Sequence, residues 1–281
     1  MTDSDPFLKQ ILALERLINE SDSKADFPHK VYDILSVVEP WVFQGLDNLK
    51  SLMPRAQSIS QFYAPKAFGK FNLTLVNNGS FFITLMYMDQ IGTEIHDHPF
   101  WGCFIPLIGS PFEIRFTFNP TNTINDWADV GNLVPESAMR IEQHTPRMIE
   151  ENTVHLLSRT QGGQFSLLVA QILPSLKTSN HFFYYPGFRL KNRTDYSYIL
   201  RLLTLMEAIP LKSGELNHLF EKLELDEVFR MLQFSRYSGN KTVQAFVERF
   251  IQENYSEYWS YVDSHDSYML TLQTKLALLR V

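Results

Sequence analysis

Apolar and polar positions change their period twice along the chain. In residues 6–22 (PFLKQILALERLINESD), Phe7, Ile11, Leu14, Leu17 and Ile18 recur at the spacing of one helical face. Asp5 stands where it can cap that helix, and Pro6 suits the first turn, where a missing N–H costs nothing. Residues 27–53 predict two further helical pieces, the second opened by Pro40. From about 72 to 190 the texture changes to short runs of Phe, Ile, Leu and Val between turn signals. Those signals are Asn77-Asn78-Gly79, Ile108-Gly109-Ser110, Asn119-Pro120 and Gly162-Gly163. The predicted strands are 81–88, 94–107, 112–118, 138–144, 146–150, 154–159, 165–173 and 181–186. Beyond about 194 the period is helical again: Ile199, Leu202, Leu203 and Met206 share a face, Ser213 is placed to cap a following helix, and 240–281 predicts two more.

Many short strands in succession predict a sandwich or barrel rather than alternating β/α units. The expected organisation is an N-terminal helical segment (1–60) packed on a barrel (61–190), followed by a helical extension (191–281). No repeat, Gly/Ser tract or long charge block interrupts this order. The helical tail is expected to pack on the barrel or on a second subunit, which would make a homodimer through the helical segments.

Composition narrows the function classes. The 281 residues are 44% hydrophobic and 20% charged, as in soluble globular proteins. A net charge of −6 argues against a general nucleic-acid-binding surface. The start, MTDSDPFLKQ, lacks a basic-then-apolar signal pattern, and no apolar run approaches membrane-spanning length. One cysteine excludes an intramolecular disulfide, so a reducing cytoplasm is the expected location, with no nucleic-acid or membrane partner.

The candidate chemistry lies in IGTEIHDHPFWGCF, residues 91–104. On a strand, His96 and His98 would point the same way and Asp97 the opposite way. Two imidazoles on one face can take adjacent positions around a metal, and His155, in IEENTVHLLSR, can supply a third ligand from another strand. Three protein ligands on one side of an ion leave positions open for substrate and O2. An H-x-H pair alone is weak evidence. His29, His144, His181, His218 and His265 have no such partner and read as surface or hydrogen-bonded residues.

The surroundings strengthen the signal. GTEIHDHPFWGCF resembles the metal motif of cupins, and within them the cysteine-dioxygenase-like branch, with Gly92, Ile95, His96, Asp97, His98 and Cys103 matching. MIEENTVHLLSRT resembles that family's strand bearing the third histidine, and ILPSLKTSNHFF its closing Pro-rich turn and strand. The resemblance covers roughly residues 60–185 and implies a mainly β fold, a cupin (double-stranded β-helix) barrel. It also implies Fe(II) held by His96, His98 and His155, with O2 as co-substrate. Most other cupins carry a glutamate ligand near Gly102 or Cys103; its absence here implies a three-histidine site.

The chain departs from that branch in the substrate pocket. Where the family holds the substrate carboxylate with an arginine, the matching stretch Lys70–Leu73 has none, and Lys70 offers only a point charge. The family's Ser-x-His-x-Tyr stretch becomes Leu168, Ala170 and Ile172. The family's animal enzymes join their cysteine to that tyrosine, which Ile172 cannot supply, so Cys103 is expected to be a small residue packed near the metal. Arg115, Arg147 and Arg159 are available anion binders. The expected function is a mononuclear Fe(II) dioxygenase acting on a small molecule other than free L-cysteine. The alternatives are a non-redox metal-dependent isomerase or lyase, and a metal-stabilised binding protein that docks a partner through its helical tail.

Overall fold

The structure is a computed structural model that describes residues 6–20, 26–37, 56–59, 71–88, 95–98, 100–158, 164–171, 182–185, 187–191, 202, 206, 218, 220–238 and 241–259. The fold is mainly β, with two five-stranded antiparallel sheets and helices towards both ends of the chain. Near the N-terminus the described residues include helices α1 (Pro6–Asn19) and α2 (Phe27–Val37). The strands are β1 (Phe71–Asn77), β2 (Phe81–Met88), β3 (Gly102–Ile108), β4 (Phe112–Asn125), β5 (Ala128–Arg140), β6 (Arg147–Ile149), β7 (Val154–Ser158), β8 (Gln164–Gln171), β9 (Phe182–Tyr185) and β10 (Phe188–Lys191). Among the described residues, helices α3 (Leu225–Ser238) and α4 (Lys241–Asn254) follow. One sheet has the order β1-β2-β8-β3-β6 and the other β7-β4-β5-β10-β9.

By packing, the chain divides into two compact units, Met1–Thr117 with Pro135–His181, and Phe118–Val134 with Phe182–Val281. The second unit therefore takes residues 118–134 and 182–191 in addition to the helical tail. In the first unit the β1-β2-β8-β3-β6 sheet is buried on both faces. Leu73, Leu75, Ile83, Leu85, Cys103, Ile105, Leu107, Leu167 and Val169 cluster with Ile11, Leu14, Ile18, Val31 and Leu35 of α1 and α2. Residues of the opposite parity, Phe82, Met86, Phe104, Leu168 and Ala170, cluster with Phe100, Ile141, Ile149 and Leu157. Burial of both faces explains why the strands read as continuous apolar runs rather than alternating ones.

The turns follow from their side chains. Asn78 Oδ1 accepts from the N–H groups of Ser80 and Phe81, and Gly79 takes φ 84°, where a side chain is strained. The expected turn at Asn119-Pro120 is not one. Those residues continue β4, and the chain reverses at Asp126-Trp127, where Asn125 Oδ1 accepts the Trp127 N–H. Gly131 makes room for the proline-containing stretch, since a Cβ there would run into the Asn119 carbonyl. Strands β1 and β10 and the long β4–β5 hairpin are not among the elements the sequence predicts, whereas the helix at Leu225–Ser238 falls within the expected helical extension. The predicted strands at 94–107 and 138–144 are shortened, because regular pairing begins only at Gly102 and β5 ends at Arg140. The segment opened by Pro40, Ser213 and Gly162-Gly163 lie outside the described residues.

In the second unit, Arg189 on β10 pairs with Asp129 on β5 at 2.7 Å, and its guanidinium lies over the Phe182 and Phe118 rings. Helix α3 opens with half of a capping box: the Glu227 carboxylate accepts the Glu224 N–H at 2.8 Å. Phe229 of α3 stacks on Phe188, and Arg230 lies over Phe183 and donates to the Tyr185 hydroxyl.

Candidate metal centre

Residues 95–98 do not form one strand with β3. Short backbone contacts hold them instead. The His96 and His155 N–H and C=O groups exchange a pair of hydrogen bonds at 3.0 and 2.8 Å, a single antiparallel bridge onto β7. The Asn152 N–H donates to the His98 carbonyl at 3.0 Å, and Asn152 adopts φ 64°, a left-handed conformation that asparagine tolerates. This clip brings the H-x-H segment against His155.

The three rings form a compact group. Their centroids are 4.6 Å apart for His96–His98, 4.9 Å for His96–His155 and 5.0 Å for His98–His155. One nitrogen from each lies within 4.8 Å of the others, all three side chains are buried, and this is the group among the described residues that could hold a metal ion. His98 Nε2 and His155 Nε2 stand 2.9 Å apart. Two ligands about 2.1 Å from one ion and at a right angle to each other would lie about 3 Å apart, so this nitrogen pair fits a shared metal. The donor set is three imidazoles, which suits a first-row divalent ion. Asp97 is buried but is not part of the group.

Beyond the rings lies a residue the sequence reading missed. Glu113 on β4 is fully buried and accepts from His155 Nδ1 at 2.9 Å through Oε1. Its Oε2 takes Arg147 Nε and Nη2, each at 2.7 Å, and Arg115 Nε at 3.3 Å. Burial alone would raise the Glu113 pKa. The hydrogen bond and the charge of His155, followed by the charges of Arg115 and Arg147, outweigh it and bring the group from 4.5 down to about 2. In PFEIRF, Glu113 and Arg115 alternate with Phe112, Ile114 and Phe116, which in sequence is indistinguishable from an ordinary solvated strand face. Arg115 and Arg147, expected as free anion binders, are engaged with this carboxylate; Arg159 lies outside the described residues.

The other pocket candidates divide. Phe100 packs on His98 with centroids 4.6 Å apart, and Leu168 and Ala170 belong to the apolar cluster that contains Phe100. Lys70 and Ile172 lie outside the described residues. Cys103 is a correction. It was expected beside the metal, but strand alternation turns it into the cluster with α1 and α2, while its neighbour Phe104 joins the cluster on the histidine side. Gly102 has a steric reason: a Cβ there would run into the Val169 carbonyl and the Ala170 backbone of β8.

No protein-family model and no curated protein sequence matches the chain. Among solved structures it aligns with a DMSP lyase from Ruegeria pomeroyi at 13% identity and TM-score 0.35, covering 65% of this chain and 98% of that one. It aligns with a hydroquinone 1,2-dioxygenase from a Sphingomonas species, with 4-hydroxybenzoate bound, at 6% identity and TM-score 0.29, covering 35% of this chain and 64% of the other. A cupin-superfamily protein from Desulfitobacterium hafniense aligns at 14% identity and TM-score 0.26, over 43% of this chain and 88% of that one. Each activity is that of the protein that bears it. Among the described residues no helix is long and apolar enough to cross a membrane. The solved neighbours of this mainly β chain thus include proteins of the cupin, or double-stranded β-helix, kind.

Proposed function

We propose that the protein is a mononuclear non-haem Fe(II) oxygenase of the three-histidine type, related to thiol dioxygenases but acting on a small molecule other than free L-cysteine. The observation that carries this reading is the buried trio His96, His98 and His155, with the His98 and His155 nitrogens 2.9 Å apart. The iron, when bound, would supply open coordination positions at which O2 and substrate meet. His96, His98 and His155 hold it. The Phe100 ring packs on His98 and belongs to an apolar cluster with Leu168 and Ala170, an apolar wall beside the site. Such a wall favours apolar substrate atoms. Burying the charges of free cysteine against it without partners costs several kcal/mol.

The resemblance in the IHDH segment favours oxygen chemistry, and the site of action is proposed to be the cytoplasm. A second reading, a lyase or isomerase using the metal as a Lewis acid, draws on the same neutral ligands, which leave the charge of a divalent ion undiminished. Protein purified without oxygen, analysed for metal and then followed by oxygen uptake against a substrate panel, separates the two. An oxygenase carries iron and consumes O2, whereas a lyase turns over anaerobically. His155→Ala should lose most of the bound metal with little change in fold; full retention would remove His155 from the ligand set.

A further inference from the structure

We propose that Glu113 is a positioning residue that sets the tautomer of His155, and that Arg147 and Arg115 enforce its choice. The inference rests on the reading of His155 as a metal ligand. An arginine can only donate hydrogen bonds, so the Oε2 end of the Glu113 side chain, which faces both guanidinium groups, must be an acceptor. An ionised carboxylate accepts at both ends. His155 Nδ1, 2.9 Å from Oε1, therefore donates, so in the form of the ring that can ligate a metal the one proton sits there. The lone pair is left on Nε2, the nitrogen that stands 2.9 Å from His98 Nε2. The ring is thus committed to ligation by a network built on its far side, from β4 and β6, with no contribution from the metal.

A substitution of the same shape should reverse the choice. In Glu113→Gln the side chain has one accepting oxygen, and the two arginines, with three contacts between them, claim it. The amide NH2 then faces His155 Nδ1, which can accept only if its proton moves to Nε2. A protonated Nε2 cannot hold a metal. Removing Arg147 as well leaves the amide oxygen held only by the longer Arg115 contact at 3.3 Å. The amide is then free to turn its oxygen to His155, and the ligating tautomer returns. A purely structural role predicts the opposite, since a second deletion in a buried network would weaken the site further.

The test uses the full chain. Nitrogen-15 NMR of the metal-free protein reads the His155 tautomer directly, and Co(II) titration reads the affinity of the site. The expected results are an Nδ1–H imidazole in the wild type and in Arg147→Met, and an Nε2–H imidazole in Glu113→Gln. Co(II) binding should weaken about 10- to 100-fold in Glu113→Gln and recover in part in Glu113→Gln/Arg147→Met. An Nε2–H imidazole in the wild type overturns the proposal, as does a double variant that binds more weakly than Glu113→Gln. If Glu113→Gln does not fold, the wild-type and Arg147→Met spectra still decide. Failure of the metal reading looks different: the wild type would bind no stoichiometric Co(II), while the tautomer in the metal-free protein would stand or fall by itself.

Discussion

Cys103 offers a sharp check on which face of β3 meets the histidines. Its side chain has no exposed surface and packs with Ile11, Leu14, Val31 and Leu35. Burial pushes its pKa from 9.0 up to about 12, against smaller lowering effects from Arg147. At pH 8 the thiolate fraction then falls from roughly one in ten to roughly one in ten thousand, so alkylation should slow about a thousandfold from ionisation alone. The assay is the iodoacetamide rate in the native protein against the rate in urea. Cys103→Ala should cost about 1 kcal/mol for the small void, and Cys103→Ser about 1–3 kcal/mol for a hydroxyl in an apolar cluster. Both should leave Co(II) affinity unchanged. Between about pH 9 and 12 the native thiol keeps a proton that the unfolded chain has lost, so stability should fall as pH rises through that window. A native thiol alkylated within tenfold of the unfolded rate would refute the placement. So would a Cys103→Ala protein with weakened metal binding, or a mass loss of about two hydrogens joining Cys103 to a tyrosine.

Gly102→Ala should lower stability by about 1–3 kcal/mol in chemical denaturation, because β3 and β8 must part to admit the Cβ; an unchanged midpoint would contradict their close approach. Glu113 has a folded pKa of about 2 against 4.5, so its contribution to stability is present above pH 4.5 and lost as pH falls towards 2. Glu113→Gln should therefore flatten the acid limb of the urea-midpoint profile, and an identical profile would show that the ion cluster is not what acid breaks. With millimolar L-cysteine or 3-mercaptopropionate, oxygen consumption by the iron-loaded protein should be very slow, and turnover near one per second would refute the apolar pocket.

Much of the candidate centre is legible in sequence. His96 and His98 lie two residues apart and His155 follows a turn, and these spacings survive folding because backbone pairing acts locally: a single bridge and one left-handed asparagine seat the segment on β7. The strand at Phe81–Met88 and the turn at Asn78-Gly79 were equally readable, since hydrophobic run length and turn chemistry are properties of neighbouring residues. The hairpin beyond Thr117 was not. Asn119-Pro120 reads as a turn until Gly131, on the returning strand, leaves space for it to run on.

The sequence by itself determined the mainly β body, its helical flanks and the identity of the three histidines, because periodicity and residue chemistry are written along the chain. Only the tertiary structure decided which side of each strand those residues share. Cys103 and Phe104 are neighbours in sequence yet belong to different cores, and Glu113, Arg115 and Arg147 look like solvated charges until three strands bring them together behind His155. A strand's alternation gives two faces but not their environments. What each face meets depends on partners far along the chain, which only packing brings into contact.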